Sequence, residues 1–278
     1  MSDWAARPPH PGLRHLVRRY IGYTQHDVTL PVHRGLPSRN VTLIVSLAEP
    51  VHFVGGVGAE RGPVSLQTVV GGLHLGPVLI QQDRYQCGVH IELNPLGLRA
   101  LLGVSATELA SSVVDVADLP VPWARRLADR LAGQPGWPER FAVLDEEFAA
   151  AIGPVTLATE VQWAWRSLIS RHGGRPVAEL AREIGWSRRH FSERFAREVG
   201  VPPKQAARLM RFERSSALLR AGGYRNLAEL AVRSGYYDQA HLTNEWRELA
   251  GCTPSAWIRE ELPFLQDLPE EATAESGA

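Results

Sequence analysis

The apolar positions of this chain change their period near residue 95. Before it, short apolar runs alternate with Gly and Pro. Residues 41–47 are β-branched and apolar, the pattern of a buried strand. Residues 65–70 and 78–81 are shorter runs of the same kind, and residues 88–93 alternate as a half-exposed strand does. Gly55-Gly56, Gly62-Pro63, Gly71-Gly72 and Gly76-Pro77 punctuate the runs. Strands this short and close together over residues 13–93 predict a barrel or sandwich-like sheet.

Helical periods follow Pro95. Residues 96–102 form a first candidate helix, Ser105 is a candidate N-cap for a second, and residues 123–131 a third. Residues 138–152 place Phe141, Leu144, Phe148 and Ile152 at helical spacing. Gly153-Pro154 reads as a boundary, and residues 156–172 resume a helix with Val161, Trp165, Leu168 and Ile169 on one face. The predicted class is α+β. A β-rich domain with trailing helices spans residues 1–153, an all-α domain 154–262, and residues 263–278 form a disordered acidic tail.

The all-α segment contains an internal repeat. Ala178-Glu-Leu-Ala181 returns as Ala228-Glu-Leu-Ala231, and Gly185 returns as Gly235. After a one-residue insertion, His190 matches His241, Phe195 matches Trp246, Gly200 matches Gly251, and Pro203 matches Pro254. Each copy reads as a helix-turn-helix. In the first, Val177, Leu180, Ala181 and Ile184 form a buried face, Gly185 turns the chain, and Ser187 caps a second helix. That helix buries Phe191, Phe195 and Val199. In the second copy Leu227, Leu230 and Ala231 are buried, Gly235 makes the turn, and Asp238 caps a helix burying Leu242, Trp246 and Leu249. Residues 203–221 between the copies predict one helix about 28 Å long. Such a strut holds two recognition helices about one DNA turn, ~34 Å, apart.

The outward stripes carry the candidate chemistry. Arg189, Ser192 and Glu193 in the first copy, and Ala240, Thr243 and Asn244 in the second, are candidates to face bases. Asparagine is suited to bidentate pairing with adenine, and Glu193 to accepting from a cytosine amine. Arg188, Arg194, Arg197, Gln239, His241 and Arg247 flank the stripes as candidates for the phosphate backbone. Charge agrees with this division. Residues 1–154 carry a net charge of −1, residues 155–262 one of +5, and residues 263–278 one of −4. A polyanion would meet the middle segment.

Other chemistries find little support. Two cysteines, Cys87 and Cys252, give no disulfide framework and no four-cysteine zinc site. No phosphate loop, nucleophile elbow or acid-rich metal cluster is present, so the expectation is no enzyme, no catalytic residue, no cofactor and no metal. His90 and Glu92 would share one strand face, but the close His-x-His pairing of metal-bearing barrels is missing. The first residues lack a signal-peptide core, and no run reaches membrane-spanning length, which places the chain in the cytoplasm.

Residues 158–260 resemble the DNA-binding domain of AraC/XylS-type transcription regulators. The resemblance is carried by Ala178-Glu-Leu-Ala with Gly185, by Phe195, Gly200 and Pro203, and by Arg211-Phe-Glu-Arg with Leu218-Leu219. It continues through Leu230-Ala231, Gly235-Tyr236, Asp238-Gln239, Trp246, Gly251 and Thr253-Pro254. The chain departs from the family where Asn244 replaces a base, Glu193 an arginine and Trp246 a phenylalanine. A weaker resemblance, through Val17-Arg-Arg-Tyr20, Gly22-Tyr23 and residues 94–103, links the first ~150 residues to the sensor-like domains of one branch. The resemblance implies a regulator that binds promoter double-stranded DNA, answers a small-molecule effector of unknown site, and contacts RNA polymerase if it activates. A homodimer is a further expected partner. The alternatives are a first domain that only dimerises or binds a protein, and an enzyme or repair protein fused to the DNA-binding module. The repair proteins with a related module need a cysteine cluster that two cysteines do not supply.

Overall fold

A computed structural model of the chain describes residues 3–57, 62–154 and 157–261. The expected disordered tail, 263–278, lies outside the described residues. The first domain is built on two antiparallel sheets. One has the order β1 (Asp3–Arg7), β2 (Val17–His26), β9 (Tyr85–Leu93), β4 (Val41–Ser46), β7 (Thr68–Gly71), β10 (Val113–Asp115). The other runs β3 (Val32–Gly35), β8 (Val78–Gln81), β5 (Val51–Gly56), β6 (Val64–Leu66).

The alternation read from the sequence sets the register. Val41, Leu43 and Val45 of β4 stand opposite Leu93, Ile91 and Val89 of β9, and all six are buried. A one-residue slip would move each row to the other face. Three departures from the sequence reading have physical causes. The run 65–70 breaks at Gln67 into β6 and β7, which belong to different sheets. The Gln67 amide donates to the carbonyls of Ser46 (2.7 Å) and Ala48 (3.1 Å), which fixes the break. Gly55-Gly56, read as punctuation, lies inside β5, where the register shifts between Phe53 and Gly55 as at a β-bulge. Strands β1 and β10 fall outside residues 13–93. Both are short edge strands of this sheet, with too few residues to show a period.

The helices that follow are α1 (Leu98–Leu102), α2 (Ala106–Leu109), α3 (Ala124–Ala132) and α4 (Trp137–Ala151). Ser105 caps α2 in a reciprocal box with Glu108. Helix α4 lies on β2, with the Tyr20 ring 5.7 Å from Phe141 and 6.2 Å from Phe148. Asp145 of α4 accepts from the Tyr20 hydroxyl at 3.0 Å and the His10 N–H at 2.9 Å, and pairs with Arg7. Ile152, expected on the buried face, lies past the helix end and is 42% exposed. At Gly22 of β2, a Cβ would stand 2.3 Å from the Trp137 ring. Gly22→Ala is therefore expected to destabilise the chain by about 1–3 kcal/mol through overpacking, measured by denaturant unfolding.

The second domain contains α5 (Thr159–Ser170), α6 (Val177–Glu183), α7 (Arg188–Val199), α8 (Pro203–Ala221), α9 (Leu227–Ser234), α10 (Gln239–Ala250) and α11 (Pro254–Glu260). Helix α8 has the predicted bounds. Helix α11 was not anticipated. Thr253 caps it, Pro254 opens it, and its Trp257 packs 5.8 Å from Trp246. The two domains touch directly. The Thr107 hydroxyl donates to the carbonyls of Ala196 and Arg197 at the end of α7 (3.3 and 3.1 Å). The Arg39 N–H donates to Glu213 of α8 at 2.9 Å. Among the described residues no helix is long and apolar enough to cross a membrane.

Candidate nucleic-acid interface

Both helix-turn-helix units form from the signals read in the sequence. Leu180 and Ala181 of α6, and Leu230 and Ala231 of α9, are buried. Gly185 (φ 73°) and Gly235 (φ 85°) make the turns in the left-handed region, where a β-carbon is disfavoured. Ser187 accepts from the His190 N–H at 3.2 Å, and Asp238 from the His241 N–H at 2.7 Å, starting α7 and α10 alike. Each of these helices has 12 residues, enough for three turns. Their inner faces, Phe191, Phe195 and Val199 in α7, and Leu242, Trp246 and Leu249 in α10, are buried.

The opposite faces carry the candidate contacts. On α7, Arg188, Arg189, Glu193 and Arg197 are exposed, while Ser192 and Arg194 are half-buried. On α10, Gln239, Ala240, His241, Asn244 and Arg247 are exposed, and Thr243 is half-buried. Several are held by neighbours on their own helix. Arg189 Nε meets Glu193 at 2.9 Å, one turn away. Arg194 meets Glu198 at 3.1 Å, and burial raises the Glu198 carboxyl above its ordinary value against the pull of Arg194. Arg247 donates to the Asn244 amide oxygen at 3.1 Å. The ring of His190 meets Trp186 edge-on at 4.7 Å, and that of His241 meets Tyr236 at 5.2 Å, so both histidines also shape their turns.

The exposed Arg189–Glu193 pair is weak in water. Glu193 brings negative charge to this exposed face. Glu193→Gln removes one negative charge from this face and is expected to raise affinity for unrelated duplex about two- to fivefold while relaxing preference at the one base pair that Glu193 faces, as fluorescence anisotropy would record.

Two features escaped the sequence reading. Tyr237, just before the Asp238 cap, is 88% exposed, the aromatic surface most open at this face. The adjacent pair Tyr236-Tyr237 was its one signal, since Tyr236 alone is buried. Glu245 of α10 faces inward, 8% exposed, and accepts from Arg208 Nε of α8 at 2.8 Å. Arg208 also pairs with Glu248. These pairs fix α10 to α8. They join residues some 40 positions apart, which no local pattern reveals.

A family model described as a helix-turn-helix domain matches residues 180–260. Residues 180–260 are an AraC-type helix-turn-helix domain. This AraC-type domain is one found in DNA-binding transcription regulators. Among solved structures, apo ToxT from Vibrio cholerae, in a lysine-to-alanine variant, is similar at 11% identity. The match covers 87% of this chain and 97% of that one, with a TM-score of 0.51. ToxT with an unsaturated fatty acid bound is similar at 10% identity, 91% and 96% coverage, and a TM-score of 0.48. The C-terminal domain of AraT, a response regulator from Geobacillus stearothermophilus, is similar at 21% identity over 38% of this chain and 88% of its own, with a TM-score of 0.35. No curated protein matches the chain in sequence. A β-rich first domain followed by a helical domain is the fold this chain shares with the apo ToxT structure.

Proposed function

We propose that this chain is a sequence-specific DNA-binding transcription regulator whose first domain makes DNA binding responsive to a small-molecule effector. The observation that carries the reading is the matched pair of capped 12-residue helices, α7 and α10. Each is buried on one face and bears polar, groove-sized side chains on the other. Helix α8, which lies between the two units in sequence, has 19 residues and is about 28 Å long, close to one DNA turn. In this reading Arg189, Ser192, Glu193, Ala240, Thr243 and Asn244 face bases, and the flanking arginines, Gln239 and His241 meet phosphates. The domain division at residues 153–154 fits the proposal, because α4 ends at Ala151 and α5 begins at Thr159.

The effector half of the reading rests on contact between the domains. The first domain touches both α7 and α8, so a ligand that shifts it changes the platform of the recognition helices. A coupling of about 1–3 kcal/mol is ordinary for such a device. The test is binding of the full chain to a randomised duplex library. Enrichment of a defined site supports the reading, and equal binding to all duplexes refutes sequence-specific recognition.

A further inference from the structure

The turn of the second helix-turn-helix unit is one residue longer than that of the first. From turn glycine to capping residue, the first unit runs Gly185, Trp186, Ser187, and the second runs Gly235, Tyr236, Tyr237, Asp238. The backbone shows which tyrosine is the additional one. The Trp186 N–H donates to the Ala181 carbonyl at 2.9 Å, and the Tyr236 N–H donates to the matching Ala231 carbonyl, also at 2.9 Å. Trp186 meets the His190 ring edge-on, as Tyr236 meets that of His241. Tyr236 is therefore the counterpart of Trp186, and Tyr237 has no counterpart in the first unit.

Among the described residues, none hydrogen-bonds the Tyr237 side chain or stacks on its ring, and the residue is 88% exposed. The residue before a helix cap often packs on the fourth residue of the helix. Trp186 stands in that place in the first unit and packs against the core. In the second unit the fourth residue, Leu242, is buried while Tyr237 stays outside. The main chain of Tyr237 is nonetheless held, because its N–H donates to Nδ1 of His241, in the first turn of α10, at 3.5 Å. The ring is thus presented from a fixed backbone, directly ahead of the exposed Gln239 and Ala240. That end of a recognition helix is the part that approaches base edges. Among the described residues the helical domain exposes one other large hydrophobic side chain, Val232 of α9, 68% exposed. Exposed apolar surface of that size is therefore confined to the second unit.

We infer that Tyr237 is a sequence-reading residue of the second unit, and that it packs its ring on the C5-methyl group of a thymine. The major groove displays one apolar group, the thymine methyl, and its other base-edge features are hydrogen-bond donors and acceptors. An aromatic ring brought to that groove without a protein partner finds its favourable surface on the methyl. Tyrosine suits the task, because it offers a large contact area and has only two side-chain torsions to immobilise. The preference it confers differs in kind from that of Asn244, whose amide reads a base by hydrogen bonds. The inference rests on the function proposed above. It adds a reading residue that lies ahead of α10 rather than on its outward stripe, and a thymine preference to which the first unit has no equivalent.

The test uses the full chain and the duplex it selects from a randomised library. Each thymine of that duplex is replaced in turn by deoxyuridine, which keeps every hydrogen-bonding group of the base and removes only the methyl. At one thymine the wild-type chain is expected to lose about fourfold in affinity, the worth of one buried carbon. Tyr237→Ala is expected to lose about tenfold on the unmodified duplex and nothing further at that deoxyuridine. Its Tm is expected to match the wild type, because the side chain is exposed. Tyr237→Phe, which keeps the ring, is expected to bind both duplexes as the wild type does. The response to deoxyuridine is one that a merely structural role would not move. The inference is overturned if no methyl matters to the wild type, if Tyr237→Ala responds to every deoxyuridine as the wild type does, or if Tyr237→Phe behaves as Tyr237→Ala. A selected duplex that Tyr237→Ala binds unchanged overturns this contact and leaves the DNA reading standing. A wild-type chain that selects no duplex overturns both.

Discussion

Trp246→Ala will lower the stability of the chain by about 3–5 kcal/mol, the range for deleting a fully buried large aromatic. Trp246 is the hub of the second helix-turn-helix unit. It is 0% exposed, its ring lies 4.9 Å from Phe212 of α8 and 5.8 Å from Trp257 of α11, and its indole N–H donates to the Ser215 hydroxyl at 2.8 Å. The substitution opens a cavity among three helices at once. Ser215 keeps its own bond to the Phe212 carbonyl at 2.7 Å, so the main loss is packing. The converse change separates the hydrogen bond. Ser215→Ala leaves the indole N–H buried without a partner, at a cost of about 1–3 kcal/mol. Trp246→Phe removes that donor, so adding Ser215→Ala to it will cost less than Ser215→Ala costs alone. Denaturant unfolding of the four variants measures all three statements. Additive losses in the double variant would show that the Trp246–Ser215 bond contributes nothing.

Asn244→Ala and Arg189→Ala will each relax base preference at one position of the DNA site, by about 1–3 kcal/mol, or about 5- to 150-fold. The two stripes are chemically unlike. Arg189, Ser192 and Glu193 in α7 offer a cation, a hydroxyl and an acceptor. Thr243, Asn244 and Arg247 in α10 offer a hydroxyl, an amide and a cation. The two variants will therefore change different segments of an asymmetric site. In each case the free chain already holds the side chain in an exposed pair, Arg189 with Glu193 and Asn244 with Arg247. Exposed pairs are weak, so DNA displaces them readily. Arg197→Ala differs in kind. It will weaken all sequences alike and flatten the log K against log salt slope by ~0.9. Binding of the variants to a site library at two salt concentrations separates the effects. Uniform loss in Asn244→Ala, with unchanged preferences, would make α10 a positioning helix.

What was legible in the sequence follows the range of the forces involved. The two helix-turn-helix units were legible because caps, turn glycines and apolar spacing act within one or two turns. Ser187, Asp238, Gly185 and Gly235 all fall in their expected roles. The long helix 203–221 was legible for the same reason. The β-rich domain was legible as a class but not as a topology. Its strands pair across large separations, and residues 65–70 divide between two sheets at Gln67. The charge network between the domains was illegible. Arg39 and Glu213 are 174 positions apart, and nothing in the pattern around either names the other. Tyr237 was hidden differently. Its neighbour Tyr236 is buried, and pattern alone does not tell which of two adjacent tyrosines turns outward.

The most direct test of the account is the spacing requirement of a selected DNA site. The full chain is expected to enrich a duplex with two unlike segments, their centres about one helical turn apart, because α8 is a strut of fixed length. Inserting about five base pairs between the segments turns the second segment to the far side of the duplex. Affinity should then fall to the level of unrelated DNA, commonly 10³-fold or more below a specific site. Unchanged affinity after the insertion, or full affinity for one segment alone, would contradict the claim that α7 and α10 read DNA together.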